Sequence, residues 1–350
     1  MICFGEDMKN RLIEIEFMTD RDKMIFETRK VNIVVALNNI FEQLNLLISN
    51  RAKNPISFLM LTLFNIELNF HWSFKMVNEN CRRARQYCYD YVSERKSGKA
   101  KSQVHGVDML SLFMESPDIF TDDFIVNELM DFFFAGTLTT QYTSQTMLTH
   151  FCHKPESLQK AREQFKKVAE ELEPDKTYSN EQSYLDEVVN LELIGDLEHL
   201  SHVVNEALRF DSPASIQTPV TLSEDCKLGD YEFKKGDIVT NMFYGLHMNE
   251  AEWQRPYEFI PERFDAESDL SLTPEGKKRN AASFAPFSGG MRICLGKNFA
   301  ENNLKVLSTY LTQIFNCEHV DKKLQEGEFR YAHFFQSDAR PTLVNLTLNK

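Results

Sequence analysis

Five residues at fixed offsets between positions 287 and 296 form the stretch of the sequence best suited to chemistry. They are Phe287, Gly290, Arg292, Cys294 and Gly296. The two glycines permit a positive φ or a close backbone approach that a Cβ would block. A helical pattern follows at once, so the Cys294 thiolate would stand at a helix N-terminus, which favours it by roughly 0.3–1 kcal/mol. A single thiolate in this position suits axial ligation of haem iron, with Arg292 able to meet an anion and Phe287 offering a flat apolar face.

A second candidate region runs from Phe124 to Phe151, with no proline and one glycine, Gly136. We predict one long helix there. Its centre, residues 135–140, reads Ala-Gly-Thr-Leu-Thr-Thr. Small residues at this point would let a flat ligand approach, and threonine hydroxyls could bond back to preceding carbonyls and bend the helix. The alternative is a threonine-rich buried helix without chemistry.

Two charged motifs lie between these regions. Glu206 and Arg209 are one turn apart on a predicted helix, and a Pro-Glu-Arg-Phe segment occupies positions 261–264. Taken alone, a Glu-x-x-Arg pair is usually a solvated surface salt bridge worth under ~1 kcal/mol. A lone cysteine in a turn is likewise most often a buried structural residue.

Along the chain the long helix comes first, followed by the Glu-x-x-Arg pair, the Pro-Glu-Arg-Phe segment and the cysteine loop. These four motifs, in this order, resemble those of the cytochrome P450 family. The resemblance implies a mainly α fold with minor β. It implies haem b bound through Cys294, in a loop completed by Phe287, Gly290 and Gly296. Arg292 would pair with a haem propionate.

The long helix resembles the distal helix of that family. The resemblance gives Gly136 the role of making room for dioxygen and Thr139 that of steering its protons. The family normally has an acid just before this threonine, where the present chain has Leu138. Leucine cannot relay a proton, so this position departs from the pattern.

The resemblance also assigns a structural role to Arg263 of the Pro-Glu-Arg-Phe segment. Arg263 would join Glu206 and Arg209 in a buried network of three charges near the cysteine loop. Removing one member of such a network typically costs ~3–5 kcal/mol.

The implied activity is that of a monooxygenase, which inserts one oxygen atom of O2 into a small apolar substrate and releases the other as water. Electrons would come from NADPH through a flavoprotein reductase, or from a ferredoxin. The first motif that can be placed lies midway along the family's pattern, and we recognise no Trp-x-x-x-Arg helix before it. We therefore expect an N-terminally truncated fold with impaired activity. The alternative is a non-catalytic remnant, with or without haem, that acts through protein contacts.

Composition favours one domain spanning residues 1–350, because no Gly/Ser/Pro linker divides the chain. The net charge of −13 argues against a nucleic-acid partner. Seven scattered cysteines suggest a reducing compartment rather than a disulfide framework. We recognise no membrane anchor, although complete eukaryotic P450s are often bound to the endoplasmic reticulum. Membrane contact is expected only through two apolar predicted helices, Val31–Ile48 and Ile56–Phe74, which resemble the substrate roof of the family.

Two histidine pairs have the i, i+3 spacing that places both rings on one helix face. They are His150 with His153 and His199 with His202. A zinc site needs further converging ligands. We therefore predict histidines at helix ends or on the surface.

Overall fold

The computed structural model describes residues 11–20, 25–37, 39–40, 72–102, 107–172, 181–217, 219–321 and 343–349. The chain divides into two compact units, Met1–Leu138 and Thr139–Lys350. The described part of the first unit contains β1 (Leu12–Asp20), β2 (Ile25–Asn32), α1 (Trp72–Lys96) and α2 (Met109–Met114). The next helix, α3 (Asp122–His153), continues from the first unit into the second. It confirms the long helix predicted around Gly136.

The second unit continues with two helices of 18 residues, several shorter helices and short strands. These are α4 (Pro155–Leu172), α5 (Glu181–Val188), α6 (Leu191–Asp196), α7 (Glu198–Phe210), β3 (Val220–Thr221), β4 (Cys226–Leu228), β5 (Tyr231–Phe233), β6 (Ile238–Val239), α8 (Phe243–His247), α9 (Lys297–Ile314), β7 (Phe315–His319) and β8 (Val344–Leu348). Among the described strands, β1 pairs with β2, β3 with β6, β4 with β5 and β7 with β8, each antiparallel. The predicted mainly α fold with minor β is confirmed.

The hairpin of β1 and β2 was not predicted. Ile13 and Ile15 alternate with exposed residues, so one face of β1 is buried in the core of the first unit. The fully buried Asn80 of α1 accepts from the Glu16 amide at 2.9 Å and donates to the Glu16 carbonyl at 2.9 Å. One amide side chain therefore satisfies both backbone groups of a strand residue and fixes the hairpin against α1.

The predicted helix Val31–Ile48 is wrong at its start, because β2 extends through Asn32. Residues 33–37 are helical, and residues 41–48 lie outside the described ranges. The predicted helix Ile56–Phe74 lies outside them as well, except that α1 begins at Trp72. None of the helices within the described ranges is both long enough and apolar enough to cross a membrane.

The core of the second unit forms where amphipathic helices meet. Pro155 occupies the first position of α4, where the backbone N–H has no partner within a helix, so its absence costs nothing. Buried residues on α4 recur at three- and four-residue spacing, at Leu158, Ala161 and Phe165. This apolar stripe packs with residues of α7 and α9, including Leu304.

A buried polar network joins three helices of this unit. Ser157 Oγ lies 2.9 Å from Nε2 of His150 and 2.9 Å from Nε2 of His199, which is also 3.1 Å from the Ser157 carbonyl oxygen. A carbonyl only accepts, so His199 carries its proton on Nε2 and the Ser157 hydroxyl donates to His150. Burial lowers the pKa of His150 to about 3 and that of His199 to about 4. His150 and His199 lie near helix ends, as predicted. Both rings are buried, so the alternative prediction of a surface location is wrong for them.

We expect the free energy of unfolding to fall as the pH drops from about 6.5 toward 4. Above this window both rings are neutral in the folded and unfolded chains and add no pH dependence. Within it the unfolded chain takes up protons that the folded state, with its lowered pKa values, does not. Stability is therefore lost on acidification, by up to about 1.4 kcal/mol per pH unit for each ring. Urea unfolding at a series of pH values measures this slope.

The slope should shrink in His199→Gln, because glutamine keeps an N–H donor toward Ser157 but does not titrate. His202→Gln changes a half-buried ring on the same helix and is the matched control, with a smaller expected effect. An unchanged slope in the His199 variant would show that the buried network does not govern acid stability.

Candidate active site

The cysteine loop is held by bonds between its own backbone groups. The amide of Cys294 donates to the Phe287 carbonyl at 2.9 Å, and the amide of Ser288 donates to the Ala285 carbonyl at 3.1 Å. Gly290 has a φ of 66°, which glycine adopts freely, whereas Ser288 has a φ of 63°. The left-handed region costs a non-glycine residue roughly 1–2 kcal/mol. Such strain persists where surrounding structure holds the backbone, and it concentrates at functional sites.

Cys294 is exposed near the end of this loop. Helix α9 begins at Lys297 with Gly296 as its N-cap residue, and the Lys297 amide donates to the Cys294 carbonyl at 3.3 Å. The flanking apolar side chains, Ile293 and Leu295, are 48% and 84% exposed. A Cβ at Gly296 would lie 3.9 Å from the Cys294 sulfur, so the glycine keeps the space beside the sulfur open.

These features fit a haem group. A single soft sulfur donor suits an iron whose other ligands come from a macrocycle. Cys294 lies three residues before the first residue of an 18-residue helix. The exposed side chains of Ile293 and Leu295 offer apolar surface to a flat apolar ligand.

Of the other loop residues, Phe287 packs against the protein core and Arg292 is exposed to solvent. Phe287 is half-buried and packs against the core of the second unit. Arg292 closes a short 3-10 turn, Gly290–Arg292, and is exposed two residues before Cys294. The structure therefore places all five predicted loop residues in one local arrangement, fixed through Phe287.

Gly136 and Thr139 lie one turn apart on α3, where Gly136 is exposed and Thr139 is half-buried. Leu138, which replaces the expected acid, is buried. Side-chain hydroxyls of α3 do bond back to carbonyls one turn earlier, as predicted. The donors, however, follow residues 135–140 in the sequence and do not belong to that segment. Thr143 donates to the Thr139 carbonyl at 3.0 Å, and Ser144 donates to the Thr140 carbonyl at 2.7 Å.

The predicted three-charge network is confirmed. Arg209 Nε and Nη2 donate to the two carboxylate oxygens of Glu206 at 2.7 and 2.8 Å. Arg263 Nε donates to Glu206 Oε1 at 3.2 Å, and the amide of Ile260 donates to the same oxygen at 2.7 Å. The side chains of all three charged residues are fully buried.

Backbone carbonyls also accept hydrogen bonds from both guanidinium ions. Arg209 donates to the carbonyls of Pro256 at 2.9 Å and Glu258 at 3.1 Å. Arg263 also donates to the Glu258 carbonyl, at 3.2 Å, and to the carbonyls of Gln254 and Arg255. Burial lowers the pKa of Arg263, while the nearby Glu206 carboxylate opposes this change. The network thus ties the segment before the Pro-Glu-Arg-Phe turn to α7.

His247 connects this network to the cysteine loop. Arg209 Nη1 donates to the His247 carbonyl at 2.9 Å, and His247 Nε2 accepts from the Ala285 amide at 3.2 Å. An amide only donates, so Nε2 is unprotonated and the ring proton lies on Nδ1. Burial, together with the charge of Arg209, lowers the pKa of His247 to about 4. Since Ala285 in turn accepts from Ser288, the chain of bonds runs from the buried charges to the strained part of the loop.

Comparison with known proteins settles the family. The sequence matches the family model for cytochrome P450 over residues 24–334. The chain belongs to the cytochrome P450 family. This is a family of haem-iron enzymes, and its cofactor is haem b.

Several characterised P450s are similar to this chain. A steroid 17-alpha-hydroxylase/17,20 lyase from Cavia porcellus is 27% identical over 205 residues, which are 58% of this chain and 36% of that protein. Cytochrome P450 81F2 from Arabidopsis thaliana is 28% identical over 61% of this chain and 38% of its own length. An isoflavone 3'-hydroxylase from Medicago truncatula is 23% identical over 83% of this chain and 52% of its own length. The chain thus spans about a third to a half of the length of these relatives.

Sequence reasoning on P450 motifs did not predict how His247 and Trp253 act. The buried Trp253 ring has Arg209 at 5.2 Å and Arg279 at 4.3 Å from its centroid, which are cation–π distances. Arg279 also donates to the Arg263 carbonyl at 2.7 Å. His247 and Trp253 precede the Pro-Glu-Arg-Phe segment in sequence, but their contacts are with residues distant in sequence and leave no local pattern.

We expect Arg263→Ala to lower the free energy of unfolding by ~3–5 kcal/mol. The variant removes one of two cations beside Glu206 and takes the side-chain donor away from the Gln254 carbonyl. Urea denaturation of the purified chain measures the loss. Combining Arg263→Ala with Glu206→Ala should cost much less than the sum of the single changes, because both disrupt one network.

Glu262 offers a matched control in the same turn. It faces Lys160 at 3.8 Å across a pair that is about half exposed. Glu262→Ala should therefore cost under ~1 kcal/mol. Equal losses in the free energy of unfolding for Glu262→Ala and Arg263→Ala would contradict the buried three-charge network.

We further expect His247→Ala to increase amide hydrogen exchange across residues 284–296. The Ala285 amide would lose its acceptor, and the loop would lose its connection to Arg209. Exchange followed by mass spectrometry compares this peptide with one from α4 as an internal reference. His247→Gln, which supplies an amide oxygen as acceptor, should restore part of the protection. Identical exchange in the wild type and both variants would rule out this role of His247.

Proposed function

We propose that this chain forms part of a haem-thiolate monooxygenase in which Cys294 is the iron ligand. The observation that carries the proposal is the exposed Cys294 sulfur, held by the loop backbone at the beginning of α9. A bound haem iron activates dioxygen, and a thiolate ligand favours cleavage of the O–O bond. Gly290, Gly296 and Phe287 maintain the loop that presents the sulfur, as their positions in the family motif imply.

The other site residues take roles by their positions in the family motifs. Arg292, exposed two residues before Cys294, provides the positive charge for a haem propionate. On α3, Gly136 has no Cβ to obstruct a small ligand, and Thr139 supplies a hydroxyl that can pass a proton. These assignments rest on motif matching and on the local exposure of each residue.

We propose a small apolar substrate and an electron donor of the family's usual kind, namely an NADPH-dependent flavoprotein reductase or a ferredoxin. The similar steroid and isoflavone enzymes are named as hydroxylases. A polycyclic or aromatic skeleton is therefore the first class to test. The net charge of −13 makes a nucleic-acid partner unfavourable.

We propose further that residues 1–350 constitute one partial cytochrome P450 domain. The match to the family model runs from residue 24 to residue 334, across the division between the two compact units. Helix α3 also continues without interruption through that division. Both features favour two parts of one domain over two independent domains.

One observation favours a second candidate, a haem-binding protein without turnover. Leu138 is buried in the position that normally carries an acid. A buried leucine offers no group that could relay a proton to Thr139. Supplying a reductase, NADPH and a panel of steroids and flavonoids separates the candidates. Product formed in proportion to NADPH consumed supports the monooxygenase, whereas NADPH consumption without product supports the second candidate.

We expect the haem-loaded chain, reduced under carbon monoxide, to show the red-shifted Soret band of thiolate ligation. Cys294→Ala should abolish this band, because the variant lacks the sulfur donor. Absorption spectra of the two purified proteins at equal haem content provide the measurement.

Cys226→Ala is the matched control, because Cys226 is a half-buried cysteine of the same unit in β4. This variant should retain the red-shifted band. If the band persists in Cys294→Ala, or disappears only in Cys226→Ala, the assignment of the iron ligand is wrong.

A further inference from the structure

A buried carboxyl group that the proposed function does not use contacts α3 inside the second unit. Asp211 directly follows α7 and is 5% exposed. Its Oδ2 accepts from Thr146 Oγ1 of α3 at 2.8 Å, although the two residues are 65 positions apart in sequence. Burying a carboxylate is costly. A residue that only had to anchor α3 could do so with a neutral side chain, so the acid at this position points to a further role.

The bond to Thr146 suits both protonation states of Asp211. The Thr146 hydroxyl has one proton and two acceptors within reach, Asp211 Oδ2 and the Tyr142 carbonyl oxygen, which lies at 3.2 Å. When Asp211 is ionised, Thr146 donates to it. When Asp211 is protonated, Thr146 accepts from it and donates its own proton to the Tyr142 carbonyl. A proton can therefore be held on Asp211 or released while the two side chains stay in contact.

Thr146 belongs to a row of threonines that leads along α3 to Thr139. At about 100° per residue, Thr143 and Thr146 lie within roughly 40° of Thr139 around the helix. Thr143 and Thr146 are buried, and Thr143 donates to the Thr139 carbonyl at 3.0 Å. Side chains three or four residues apart on a helix have Cβ atoms about 5–6 Å apart. One water with a hydrogen bond to each hydroxyl can bridge such a gap.

We propose that Asp211 is the acid that supplies protons to Thr139, in place of the acid that Leu138 does not provide. The proposal rests on the proposed function, which makes Thr139 the proton-handling residue. A proton leaves Asp211 Oδ2 for Thr146 Oγ1, and the proton of Thr146 passes through Thr143 and bridging water to Thr139 Oγ1. Asp211 becomes a carboxylate, accepts from Thr146, and regains a proton from solvent. Each transfer breaks one O–H bond and forms another, so no oxidant or reductant is needed.

A relay and a mere anchor predict different results for Asp211→Asn. Asparagine has nearly the same shape and keeps an oxygen that accepts from Thr146, so an anchor would be preserved. Its amide group has no acidic proton to release. The substitution therefore removes the relay while it leaves the contact between α3 and the end of α7 in place.

The bond is tested first, by urea unfolding of the purified chain. Thr146→Val should lower the unfolding midpoint in the wild type, and clearly less in the Asp211→Ala background, where the partner is already gone. Thr149→Val is the matched control, because Thr149 is a buried threonine of the same helix that lies roughly 80° from Thr139 around it. Its effect should be the same in both backgrounds. An equal effect of Thr146→Val in both backgrounds would overturn the proposal.

The relay is tested on the haem-loaded chain with a reductase and NADPH. The rate of NADPH consumption, in H2O and in D2O, counts electrons that end in product or in peroxide, and both need protons. Asp211→Asn should slow consumption by roughly a hundredfold, the low end of what a positioned proton donor contributes, and should raise the ratio of the H2O rate to the D2O rate. Thr146→Val should act in the same direction, whereas Thr146→Ser keeps the hydroxyl and should match the wild type. Leu138→Glu should restore the rate in the Asp211→Asn background, a rescue that an anchoring role does not predict.

The carbon monoxide spectrum separates failure of the relay from failure of the proposed function. The relay is overturned if Asp211→Asn shows the red-shifted band and consumes NADPH at the wild-type rate, or slows with an unchanged ratio of H2O to D2O rates. It is also overturned if the wild type shows the band, is reduced by the reductase and consumes no NADPH. In each of these cases Cys294 remains the iron ligand. A wild type without the band refutes the proposed function, and the relay with it.

Discussion

The second unit depends on the buried carboxylate of Glu206. Removing an ion from water costs several kcal/mol, and three ions are buried here together. The arrangement is tolerable because the carboxylate accepts from Arg209, Arg263 and a backbone amide, while backbone carbonyls accept from both guanidinium ions. Each of these bonds is directional, so the charges define one geometry for the segment between residues 254 and 260.

The cysteine loop is ordered by bonds between its own backbone groups, by the packing of Phe287 and by its connection to this network. Several of its apolar side chains are exposed, and Ser288 adopts a φ that is unfavourable for it. Phe287 anchors the loop in the core, and His247 links Ala285 to Arg209. A reactive sulfur can therefore remain exposed on a backbone that is held from inside the protein. The stabilising residues and the chemically active residue are distinct, although they belong to one connected set of bonds.

The sequence was most informative where function or backbone geometry requires a particular residue at a particular offset. The cysteine loop, the long helix and the Glu206–Arg209–Arg263 network were predicted from such motifs. The β1–β2 hairpin was not, although the alternation of Ile13, Ile15 and Phe17 is a strand signal. Its attachment could not have been inferred, because it depends on Asn80, which is distant in sequence.

The burial of His150 and His199 was missed for a related reason. Their i, i+3 spacing with His153 and His202 indicates which helix face they occupy but not what covers that face. Ser157, which contacts both rings, belongs to a third helix. Long-range polar contacts of this kind leave no periodic pattern, since each helix contributes only one partner.

These polar contacts also fix the rotation of α3 about its own axis. Thr146 donates to Asp211 Oδ2 at 2.8 Å and His150 bonds to Ser157, so two residues in the second half of the helix have defined partners on other elements. An apolar stripe can slide or rotate slightly against its neighbours at little cost, whereas a buried hydrogen bond fails when its geometry changes. At 100° per residue, Thr139 lies within roughly 20° of both Thr146 and His150 around the helix. The bonds that hold the end of α3 therefore also determine which way its proposed proton-handling threonine faces.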